Sequence, residues 1–113
     1  MRKTDKKIDK QLREVLTDVC ETAIKEYDGF QWLTHLVNYS SFPQSLKIVC
    51  IFDTNERLAK FTSNTKSNDL ASLIQVKLRE MGVNIKNVSN HISYDSEEAC
   101  KNQNNGKWAD RLA

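Results

Sequence analysis

The chain has 113 residues, 39% of them hydrophobic and 28% charged, with 17 basic against 15 acidic side chains and a net charge of +2. That length fits one domain with a real core, and the composition excludes a disordered chain. So small a net charge excludes a strong global pull on nucleic acid or anionic membrane and leaves only a local patch to attract either.

The three cysteines, Cys20, Cys50 and Cys100, stand far apart, odd in number and with no CxxC. They read as reduced thiols of a cytoplasmic protein rather than a disulfide frame or a zinc site. The N-terminus, MRKTDKKIDKQ, has no apolar run behind its basic residues and so does not read as a signal peptide. No window approaches the roughly 18 apolar residues that a membrane span needs.

In chain order, residues 5–27 predict the clearest helix. Ile8, Leu12, Val15, Leu16, Val19, Cys20, Ala23 and Tyr27 fall on one face, Asp5 or Thr4 can cap the start, and Gly29 suits the stop. Charge along it is segregated. Residues 1–13 hold six basic against two acidic side chains, whereas residues 14–29 hold Lys25 against five acidic ones. This order opposes the helix dipole, which favours acids first and bases last. Lys3, Lys6, Lys10 and Arg13 share a stripe opposite the apolar face: a small acid- or phosphate-binding surface, or a solvated outer face, which is what charge runs usually mark.

Phe30–Tyr39 and Leu46–Asp53 predict two strands joined by SSFPQS. Pairing symmetric about that linker puts Leu33, His35, Val37 and Tyr39 on one face with Phe52, Cys50, Ile48 and Leu46. Trp32, Thr34, Leu36 and Asn38 then share the other with Asp53, Ile51, Val49 and Lys47. Asp53–Glu56 has the form of a capping box opening a short helix to about Phe61. Thr62–Asn68 reads as a polar loop, Asp69–Met81 as a second long helix stopped by Gly82, and Val83–Tyr94 as one bent strand or two short ones. Asp95–Glu98 has the form of a second capping box. Residues 102–107 read as a loose polar segment, and Trp108 and Leu112 as a last turn that docks back. If the segment with Trp108 folds over Trp32, Leu36, Val49 and Ile51, that face is a second small core; left uncovered, it is an interaction patch. The expected architecture is a single α+β domain over residues 1–113, in the order α-β-β-α-β, with an antiparallel sheet and two long helices packed on one face.

Catalytic constellations are thin. His35 and Cys50 can neighbour one another, but both point into an apolar layer, where a thiol is inert. His91-Ile92-Ser93 matches half of a two-histidine phosphoesterase signature, and His35-Leu36-Val37 lacks the hydroxyl of the other half. Asp95, Glu97, Glu98 and His91 lack metal-site spacing, and Asp53 is followed by no Glu/Asp-x-Lys on a strand, which removes the restriction-nuclease reading. No cofactor or metal is expected.

At Trp32–His35, Tyr39, Phe42-Pro43, Ser45-Leu46, Cys50, Phe52–Thr54 and Gly106–Leu112, the chain resembles a group of small uncharacterised bacterial proteins, some labelled Fis-type transcriptional regulators. That label implies a helix-turn-helix whose last helix enters the major groove. Here the helix Asp69–Met81 is followed by Gly82 and a strand-like stretch instead of a second helix.

The expected function is a small cytoplasmic, non-enzymatic module that binds another macromolecule, protein rather than nucleic acid, through a patch around Trp32, Leu36 and Ile51. A homodimer is compatible with this, and no membrane is involved. One alternative is a nucleic-acid-binding transcriptional regulator using Lys3, Lys6, Lys10 and Arg13; another is a small hydrolase built on His35, His91 and Asp53.

Overall fold

The computed structural model describes residues 2–113. It is α+β: helix α1 (Lys3–Glu26), strands β1 (Phe30–Leu36) and β2 (Lys47–Phe52), helices α2 (Asn55–Thr62) and α3 (Lys66–Glu80), strand β3 (Ile92–Ser96), and helices α4 (Glu97–Asn104) and α5 (Trp108–Arg111). Among the described residues no helix is long and apolar enough to cross a membrane.

The sheet departs from the expected antiparallel one. Its order is β1-β2-β3, with β1 and β2 antiparallel but β2 and β3 parallel, so it is mixed. The cause is the connection: α2 and α3 carry the chain from the end of β2 back to the start of β3, and a helical crossover returns it in the same direction. Central β2 is buried from Ile48 to Phe52.

The β1–β2 register also differs from a pairing centred on the linker. His35 faces Ile48 and Leu33 faces Cys50, two residues from the expected partners. Because side chains alternate with period two, this shift leaves the faces as predicted. A bulge falls between Phe30 and Trp32, where Phe30 faces Phe52 but Trp32 faces Ile51. The extra residue, Gln31, turns Phe30 to the inner face while Trp32 stays on the outer one. The Phe30 and Phe52 rings then meet edge-on, their centroids 5.5 Å apart.

Both long helices lie on the inner face, as their apolar stripes require. Leu12, Leu16 and Val19 of α1 and Leu70, Ile74 and Leu78 of α3 form one buried cluster with Ile48, Cys50 and Phe52. The stretch Val83–Val88 forms no strand. Val83 and Ile85 are buried in an irregular connection and Val88 opens a 3-10 turn (Val88–His91); the Gln75 carboxamide donates to the Ile85 carbonyl (3.1 Å), which has no strand partner.

Both predicted capping boxes sit one residue further on, whereas neither Thr4 nor Asp5 caps α1. Thr54 caps α2, its hydroxyl accepting from the Arg57 amide, and Ser96 caps α4, accepting from the Ala99 amide. Asp53 instead takes the Arg57 guanidinium (2.7 Å), and Glu98 accepts from the Asn55 amide at the head of α2 (3.0 Å). Helix α1 begins at Lys3 with no side-chain cap, and α3 begins at Lys66, inside the predicted loop. There the Asn64 carboxamide oxygen accepts from the Lys66 amide (2.7 Å), so the first turn forms without apolar residues. The expected loose segment at residues 102–107 is helical through Asn104, then closes with Asn105 and Gly106 at positive φ.

Gly29 turns the chain from α1 into β1 at φ +86°, and a Cβ there would stand 2.6 Å from Asp53 Oδ1 and 2.7 Å from Arg57 Cδ. Gly29→Ala therefore combines left-handed strain with a clash. It is expected to lower stability by about 1–3 kcal/mol, read as a drop in the urea midpoint.

Candidate interaction surface on the first helix

Helix α1 lies over the inner face with its apolar stripe buried, which leaves the opposite stripe to solvent. Lys3, Lys6, Lys10 and Arg13 are all exposed and lie within roughly 80° of one another around the helix. The same stripe continues into Glu14, Asp18 and Glu21, also exposed. One helix face thus carries a basic block followed by an acidic one. A shallow groove of about 570 Å³ crosses the junction, lined by Lys10, Arg13, Glu14, Thr17 and Asp18.

The basic half is fixed to the sheet by a polar knot that the sequence reading missed. Asp9 accepts from the Tyr39 hydroxyl (2.5 Å) and lies 3.2 Å from His35 Nε2; Arg13 Nε reaches its other oxygen at 3.0 Å. The Tyr39 hydrogen bond leads in holding the Asp9 carboxyl below its ordinary range, against an opposing effect of burial and with help from His35 and Arg13. Burial and the adjacent Asp9 push Tyr39 up to about 12. Nothing in the local sequence marks Asp9, because two of its three partners, His35 and Tyr39, lie 26 and 30 residues further along the chain. Arg13 remains two-thirds exposed despite its pairing. In the acidic half, Asp18 has a long contact of 3.9 Å to Lys77 on α3.

The residues expected to form the interaction patch are not one open surface. Ile51 has no exposed surface, Trp32 is half-buried, and only Leu36 remains exposed. The C-terminal segment covers part of the outer face, at Trp32 and Asp95. Trp32, Ile51 and Asp95 form one row across the sheet. Trp108 stands edge-on against Trp32, centroids 5.0 Å apart, at one end of that row. Arg111 grips Asp95 at the other end, Nε to Oδ2 at 2.6 Å and NH2 to Oδ1 at 2.9 Å. Glu97 ties the clasp together, accepting from Trp32 Nε1 (2.6 Å) and Trp108 Nε1 (3.0 Å) on its two oxygens.

The hydrolase residues do not converge. His35 borders the cleft against α1 with Cys20 and Leu33, whereas His91 lines another with Pro43, Asn84 and Asn87, its Nδ1 donating to the Leu46 carbonyl (2.7 Å). Asp53 is taken by Arg57. Burial pushes the Cys50 thiol up to about 12, which leaves it protonated and a poor nucleophile.

A second cationic cleft, of about 430 Å³, gathers Arg57, Lys60 and Lys66 around Tyr27 and Phe61. Its charge is partly spent: Arg57 pairs with Asp53, Lys60 lies 3.5 Å from Glu56, and Asp28 lines the same wall. The α1 stripe is therefore the larger uncommitted charged surface. No protein-family model, no curated protein and no solved structure matches the chain.

Proposed function

We propose that the chain is a non-enzymatic module that binds another macromolecule through the outer face of α1. The observation that carries this is the division of that exposed face into a basic block, Lys3 to Arg13, and an acidic block, Glu14 to Glu21. This moves the working surface away from Trp32 and Ile51, which the C-terminal clasp occupies. A divided face selects a partner that carries both signs, which a protein surface does and a nucleic acid does not.

Nucleic acid is the second reading, with Lys3, Lys6, Lys10 and Arg13 as phosphate contacts. Against it, Glu14, Asp18 and Glu21 would repel phosphates from any strand that followed the helix.

Zero-length carboxylate–amine cross-linking in the native cell extract tests the proposal. At low salt, adducts through Lys6 and Lys10 and through Glu14, Asp18 and Glu21 are expected, and those through the three carboxylates should disappear in K6E/K10E. Adducts unchanged in that variant would remove the surface. Retention on mixed-sequence duplex DNA that falls with salt, and that K6E/K10E abolishes, would favour the second reading.

A further inference from the structure

We infer that the partner of this face is a second copy of the same chain, the two α1 helices lying antiparallel across a two-fold axis. This rests on the α1 face being the working surface and names what it meets.

The basic side chains are spaced three and then four residues apart, at Lys3, Lys6 and Lys10. The acidic ones repeat those spacings in reverse, at Glu21, Asp18 and Glu14. Two antiparallel copies with Lys10 level with Glu14 therefore also bring Lys6 level with Asp18 and Lys3 level with Glu21. Two-fold symmetry makes each pair occur twice. All six residues are exposed and point away from the core. Arg13, nearest the axis, is neutralised by its own Asp9 at 3.0 Å, which reduces repulsion between the two guanidinium groups. A parallel pair would set base on base and acid on acid.

The same geometry accounts for the charge order that a lone helix disfavours. Bases near the N-terminus and acids further along oppose the dipole. An antiparallel neighbour brings its acids alongside the basic half and its bases alongside the acidic half, and the two dipoles also oppose one another. The contact is rich in charge and poor in apolar area, so it belongs with small, transient interfaces. Exposed ion pairs are individually weak. The expected dimer is half-formed only at a concentration on the order of 100 µM, and it dissolves as salt shortens the reach of the charges.

Sedimentation equilibrium of the intact chain tests this, at about 0.01 M and about 1 M salt. The wild type is expected to dimerise at the lower salt and to be monomeric at the higher. Lys10 and Glu14 lie within about 40° of each other around the helix; K10E sets two carboxylates against each other at that pair, and E14K sets two ammonium groups there, so each alone should weaken the dimer at least tenfold. An equal mixture of the two variants restores opposite charges at both copies of the pair and should dimerise again as a mixed species. Circular dichroism checks that each variant is folded; were E14K to fail, K3E mixed with E21K repeats the logic. A wild type that stays monomeric at low salt, or a mixture no tighter than its components, overturns the inference. If the chain is monomeric while K6E/K10E still loses its cross-links to another protein, self-pairing falls and the surface reading stands. If neither assay responds to these changes, both fall.

Discussion

Phe52→Ala is expected to lower the unfolding free energy by about 4 kcal/mol, the range for emptying a fully buried aromatic site. Phe52 ends the central strand with no exposed surface, and rings from two other elements, β1 and α2, meet on it. The Phe30 ring stands against it at 5.5 Å and the Phe61 ring at 4.8 Å. Deleting the ring leaves both neighbours facing a void that the rigid inner face cannot fully close. Domains of this size hold only about 5–15 kcal/mol in total, so the variant should be marginal at room temperature. Urea melts check this: the midpoint should fall sharply with the slope unchanged. Ile24→Ala, at a site 52% exposed, should move it by less than about 0.5 kcal/mol.

The second large effect lies on the opposite face. Trp108→Ala should cost about 3 kcal/mol, because it removes the edge-on partner of Trp32 and one of the two donors to Glu97. The chain has two tryptophans, so the fluorescence of this variant comes from Trp32 alone. Its emission should shift to the red as water reaches the indole. An unshifted spectrum would mean that Trp32 is shielded by something other than Trp108.

The same clasp has a pH signature. Burial raises the Asp95 carboxyl, but the Arg111 guanidinium and the Ser96 amide together outweigh burial and hold it below its ordinary value. The folded state therefore binds this proton less readily than the unfolded chain. The stabilisation is complete above the ordinary carboxylate pKa of about 4 and is lost as pH falls through the lower folded value. Acid titration should show stability falling below about pH 4, less steeply in Asp95→Asn. Asp9, also held low, adds a loss of the same sign that the Asp95 substitution leaves in place.

What was legible in the sequence was what periodicity carries. The helix stripes of α1 and α3 and the division of the strands into faces follow from local spacing. The face assignment survived a two-residue register difference because parity, not pairing, decides it. Strand direction was not legible: nothing in Ile92–Ser96 says that it runs beside β2 rather than against it. That depends on where the crossover delivers the chain. Val83, Ile85 and Val88 mimic a strand because burial alone produces their near-alternation, without a ladder. The charged face of α1 could be read directly, since it belongs to one helix. Asp9 with His35 and Tyr39, and Glu97 with two indoles, needed the tertiary fold to bring distant elements together. For Trp32, Leu36 and Ile51 the sequence left two outcomes, an open patch or a second small core under the segment with Trp108, because a strand's sequence does not record what later packs on it; Trp108 stands against Trp32.

The parallel pairing of β2 with β3 also bears on how the chain is made. During synthesis β2 can take β1 as its neighbour at once, but its other edge waits for β3, about 40 residues later. Over that interval an apolar strand, Ile48 to Phe52, presents unpaired backbone groups along one side. Such an edge is a template for pairing with another nascent chain. Joining β3 also requires closing a long loop, which slows this step relative to forming the β1–β2 pair. A chain truncated after His91 should therefore keep this edge open and aggregate more readily than the full chain, read as light scattering on dilution from urea.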